Sequence, residues 1–149
     1  MVTGSCYFVT VCAAEKGGNQ LIAPVTAQAI AESFRFNMAR GIWWVALLVV
    51  MPDHLHALMK FPVEPGIDKA IGNWKHFLSR THNIHWQRDF FEHRLRNDEQ
   101  QIEKAHYIRM NPVRRGLVTE PEAWPFTWTF DDLKDSGGQG TGRPTGKDI

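Results

Sequence analysis

With 149 residues, 17 Lys or Arg against 16 Asp or Glu, and 43% apolar side chains, the chain has the size at which one compact domain buries a useful core. Its 11% aromatic content excludes a disordered chain, and a net charge of +1 argues against a protein that coats a polyanion without regard to sequence. The longest apolar run, 42–52, is about half of the roughly 20 residues a membrane span requires, and no basic segment leads into an apolar N-terminal stretch, so a cytoplasmic chain with no membrane partner is expected.

The first element is read at 6–13, where Cys6, Tyr7, Phe8, Val9, Thr10 and Val11 favour a strand. Cys6 and Cys12 both fall in it, six positions apart, so their backbones lie roughly 20 Å from each other and they cannot bridge. From Pro24 to Gly41 the pattern is helical, with Pro at the start and Gly at the end. Residues 42–50 are continuously apolar, β-branched or aromatic, and read as a buried strand. The turn at Met51-Pro52-Asp53-His54 joins it to a second strand, 54–61, as a hairpin.

A helix is expected over 67–81, where Ile67, Ala70, Ile71, Trp74, Phe77 and Leu78 recur at helical spacing. Residues 82–88 read as a linker and 90–96 as a fourth strand. Asn97-Asp98 then caps a last helix, with Gln100 and Gln101 placed for capping-box contacts, and Asn111-Pro112 is expected to end it near Met110. The segment carrying Trp124, Phe126 and Trp128 is expected to pack on a domain spanning 1–135, with 136–149 as a free tail. The order is βαββαβ plus one helix, an α+β class of the ferredoxin-like kind. Strands one and three should lie in the middle of an antiparallel sheet, with two helices on one face and the last helix on the other.

Three features can carry chemistry. In His54-Leu55-His56 the imidazoles share one strand face, which suits a shared divalent ion and equally suits polar decoration of an exposed sheet. Tyr107 and Asn111 lie one helical turn apart, so a phenol and an amide face the same way; an ordinary packed tyrosine has the same spacing. The charge is also unevenly spread: 1–68, 69–115 and 116–149 carry balances of −1, +5 and −3. Basic residues interleaved with aromatics such as Trp74 and Trp86 fit a groove for single-stranded nucleic acid, and a solvated helix face would look alike.

Together, Met51-Pro52-Asp53-His54-Leu55-His56, the stretch from Trp86-Gln87-Arg88 through Phe90-Phe91-Glu92-His93-Arg94-Leu95-Arg96, and Tyr107-Ile108-Arg109-Met110-Asn111-Pro112-Val113-Arg114-Arg115-Gly116 resemble the REP-associated tyrosine transposases, relatives of the single-tyrosine HUH transposases. The resemblance runs over about 4–130. It implies a metal-dependent endonuclease and strand transferase that acts on single-stranded DNA beside hairpins of repetitive extragenic palindromes, as a monomer or homodimer. By the same resemblance His54 and His56 would hold Mg²⁺ or Mn²⁺, Asn111 would add a third ligand where mobile relatives commonly carry Gln, and Tyr107 would be the nucleophile. Arg94, Arg96, Arg109, Arg114 and Arg115 are the candidates for DNA contacts.

Two other readings compete. A repeat-binding protein of the same fold without catalysis would bind hairpins with or without metal. An RNA-binding or metal-sensing ferredoxin-like domain would carry base-stacking aromatics on strands one and three, but strand three carries histidines there.

Overall fold

The computed structural model describes residues 4–134. In chain order it contains β1 (Cys6–Cys12), α1 (Pro24–Ala39), β2 (Trp44–Val50), β3 (His54–Lys60), α2 (Ile67–His82), β4 (Phe91–Leu95), α3 (Asp98–Arg114), β5 (Thr127–Thr129) and α4 (Phe130–Lys134). The expected α+β class holds, with the strands forming one antiparallel sheet ordered β4-β1-β3-β2-β5. β1 and β3 are neighbours inside the sheet, as the βαββαβ order requires. The expected tail lies outside the described residues.

The sheet separates two apolar clusters. On one face Val9, Val11, Leu48, Leu55, Ala57 and Met59 pack under Ile30 and Phe34 of α1 and Ile71 and Trp74 of α2. On the other, Cys6, Leu47, Val49, Leu58 and Leu95 meet Ile108 of α3 and Trp124. The unbroken apolar run of β2 serves both faces by alternation, and a bulge between Val45 and Leu47 shifts that alternation by one residue. The extra residue keeps Val45 on the same face as Leu48 and Val50, which strict alternation would forbid. Three indole N–H groups buried by this packing find carbonyls or hydroxyls, Trp43 donating to Phe34, Trp74 to Ser33 and Trp124 to Val50, whereas the buried Trp86 N–H has no partner among the described residues.

Two details differ from the sequence reading. The C-terminal segment packs as expected and also supplies strand β5, which pairs with β2, so Trp124 and Trp128 lie on opposite faces of the sheet. The last helix does not stop near Met110. It runs through Pro112 to Arg114 and ends at Gly116, whose φ of +76° suits glycine. A proline this near the end removes one hydrogen bond, and the last turn closes without it. Arg115 N–H donates to the Asn111 carbonyl and Leu117 N–H to the Pro112 carbonyl. Asn111 therefore sits inside a helix, and the following arginines are carried around towards the sheet.

Candidate functional site

Register places the histidines. His56 is paired with Thr10 and His54 with Cys12, both on β1, and the face they share is the one crossed by α3. The rings lie 4.8 Å apart and both residues are buried. Each Nδ1 has a partner: His54 Nδ1 lies 2.8 Å from Asp53 Oδ1, and His56 Nδ1 lies 2.9 Å from the Thr10 hydroxyl. A carboxylate only accepts, so a neutral His54 carries its proton on Nδ1 and keeps the Nε2 lone pair. That Nε2 faces the Asn111 amide at 3.3 Å.

α3 delivers the remaining groups as one stripe. Lys104, Tyr107, Ile108, Asn111, Arg114 and Arg115 recur at helical spacing, and Ile108 anchors the stripe to the sheet. The helix starts where the sequence places it: Asn97 Oδ1 accepts from the Gln100 N–H at 2.8 Å, and Gln100 Oε1 accepts from the Arg96 N–H. Tyr107 is 47% exposed, with its ring 6.5 Å from that of His56. Two cations bracket it, Arg114 Cζ at 4.1 Å and Lys104 Nζ at 5.0 Å from the ring centroid. Arg114 also donates to the Tyr107 carbonyl, and Lys104 lies 4.8 Å from the Phe8 ring centre.

His54, His56, Tyr107 and Asn111 thus line one pocket of about 440 Å³, together with Arg114 and Arg115, all within a single copy of the chain. Burial is the main reason that the His56 imidazole is pulled down to about 3, with the charges of His54, Arg114, Arg115 and Lys104 adding to it. His56 is therefore neutral at physiological pH, with Nε2 free to bind when Nδ1–H is donated to Thr10. Burial pushes the Asp53 carboxyl upward, but hydrogen bonds from His54 and the Gly17 N–H, with the charges of His54 and Arg115, outweigh it and hold the group below its ordinary range.

This donor set fits a divalent cation. Two imidazole nitrogens and one amide converge, and rotating the Asn111 amide brings its oxygen to the position from which its nitrogen meets His54. Among the described residues no group of three His, Cys, Asp or Glu is placed to hold a metal ion, so an ion bound by the two imidazoles would need a donor of another kind, such as the Asn111 amide. The cations that disfavour a protonated His56 also make the pocket attractive to phosphate.

The other three candidate arginines stand elsewhere. Arg94 pairs with Tyr7 in β4 and so belongs to the opposite sheet face, while Arg96 at the β4–α3 junction and Arg109 on α3 are exposed outside the pocket. Sequence reading passed over Thr10, Lys16 and Asp53, which line the same pocket, and Lys104 over the Tyr107 ring. Asp53 was the most accessible of these, a carboxylate adjoining a histidine pair, whereas Thr10 emerges only from the β1–β3 register.

No protein-family model matches the chain. It is 35% identical over 91 residues to a REP-associated tyrosine transposase of Escherichia coli, covering 57% of this chain and 53% of that protein. A Haemophilus influenzae protein provisionally given the same name is 30% identical over 106 residues, covering 58% and 59%. The matches thus span a little over half the length of these curated relatives. A solved REP-associated tyrosine transposase bound to a REP hairpin superposes with a TM-score of 0.72 at 22% identity, over 97% of this chain and 94% of that one. At that identity the likeness speaks to the fold. No helix among the described residues is long and apolar enough to cross a membrane.

Proposed function

From a chain that resembles the REP-associated tyrosine transposases, we propose a metal-dependent endonuclease and strand transferase that cuts and rejoins single-stranded DNA beside a hairpin. The observation that carries this reading is the opening of Tyr107 and the His54–His56 pair onto one cationic pocket, within one copy of the chain.

Arg114, Arg115 and Lys104 draw the phosphate in and fix its oxygens. His54 and His56, with the Asn111 amide, would hold Mg²⁺ or Mn²⁺, which when bound polarises the phosphate and offsets the charge that develops on it. Asp53 and Thr10 set the directions in which the two imidazoles point. The Tyr107 phenol oxygen attacks phosphorus in line, losing its proton as the new O–P bond forms. The bond to the 3′ oxygen breaks, and that oxygen leaves as a hydroxyl. The 5′ phosphate is then esterified to Tyr107, so attack by a 3′ hydroxyl reverses the steps and joins strands without a nucleotide cofactor.

An oligonucleotide hairpin with single-stranded flanks, incubated with Mn²⁺, should give a covalent protein–DNA adduct on a denaturing gel. Tyr107→Phe should abolish it; an adduct that survives the substitution sinks the nucleophile assignment. Hairpin binding with no cleavage at any Mn²⁺ or Mg²⁺ concentration would leave a binding protein of the same fold.

A further inference from the structure

The reaction proposed above gives no role to the Phe90–Arg96 part of the resemblance, which contains edge strand β4. Phe91 opposes Thr10, and Thr10 opposes His56, so the three stand in one row on one face of the sheet. At the 4.7–4.9 Å spacing of adjacent strands, Phe91 lies about 10 Å from His56. His93 is on the same face, opposite Phe8, whose ring packs 5.2 Å from His56. α3 crosses β3 and β2 and leaves this corner open, so Phe91 is 66% exposed and His93 is exposed as well.

We propose that Phe91, with His93 beside it, is a stacking shelf for unpaired bases of the strand whose phosphate enters the Tyr107 pocket. The inference rests on the function proposed above and specifies how its substrate is held. A bare aromatic ring beside a cationic pocket matches single-stranded nucleic acid, whose phosphates meet the cations while its bases meet the ring. A second protein strand is a poorer occupant of this edge. β4 has five residues, and Glu92 and Arg94 project between Phe91, His93 and Leu95, a charged alternation that discourages strand addition. Because a ring face accepts any base, the shelf favours unpaired flanks without dictating their sequence.

The test uses the full chain in EDTA, where binding is read without cleavage, and two probes: a blunt hairpin, and the same hairpin with single-stranded flanks containing 2-aminopurine. Phe91→Ala should weaken binding of the flanked hairpin by about fivefold to a hundredfold, leave the blunt hairpin unchanged, and remove the fluorescence quenching that stacking gives. Phe91→Trp should restore both readouts, and Phe36→Ala, an exposed ring on α1, should alter neither. Flanked-hairpin affinity and quenching that survive Phe91→Ala overturn the shelf while leaving the nuclease reading intact. Loss of self-association in place of DNA affinity overturns it in favour of a second copy. A wild-type protein that binds neither probe overturns both readings.

Discussion

The two faces of the sheet are built from the same strands and put to opposite uses. Along β3, Leu55, Ala57 and Met59 close a dry core under α1 and α2, while His54 and His56, one position out of step, face a pocket that α3 only partly roofs. Two 16-residue helices cover the first face, whereas α3 buries only Ile108, Asn111 and Pro112. The larger core is thus on one side and the proposed chemistry on the other. The backbone of β3 is held firmly enough from behind that its second face can carry polar groups a core would reject.

Acid should expose this division most strongly. An imidazole buried at about 3 is protonated in the unfolded chain below about 6.5, so the stability tied to it is complete above that pH and is lost as pH falls towards 3. The loss amounts to as much as about 5 kcal/mol. Asp53, held below its ordinary range, contributes in the same direction at the acid end. Urea midpoints of the metal-free protein across this range should show the fall, and His56→Gln should flatten it. An unchanged slope in that variant would mean that the pocket face carries no such load.

Neighbouring residues on β3 provide the second comparison. Leu55→Ala opens a cavity in the dry core and should cost about 2–5 kcal/mol in denaturant unfolding. His56→Ala, measured at pH 7.5, should cost clearly less while abolishing the adduct with Tyr107. Equal costs would erase the distinction between the faces. The smallest effect is expected at the N-terminus of α3, where Asn97→Ala removes a cap worth about 1 kcal/mol. Hydrogen exchange should accelerate in the first turn of α3 and stay unchanged in α1, which has no side-chain cap to lose.

Local signals made much of this legible. Pro24 and Gly41 bracket α1, the Asn97 cap opens α3, and the His54–His56 and Tyr107–Asn111 spacings name the residues that meet in the pocket. What stayed hidden depends on packing. Asn111-Pro112 reads as a helix end because the residue before proline disfavours helical angles, yet a buried Asn111 facing His54 and a closing turn at Gly116 carry the helix past it. β5 has only three residues, and Thr127-Trp128-Thr129 becomes a strand by lying against β2. Arg94, Arg96 and Arg109 share the composition of Arg114 and Arg115, and only their places in the fold set them apart from the pocket.

β5 also bears on the order in which the protein can be made. Until residues 127–129 leave the ribosome, β2 presents an apolar rim at Leu47–Val49 with no strand beside it, and neither Trp124 nor Trp128 is available to cover its side of the sheet. The βαββαβ unit is therefore synthesised in full before its sheet can be finished. A nascent chain paused in this interval is the form most exposed to mispairing, and the late tryptophan segment is what brings that exposure to an end.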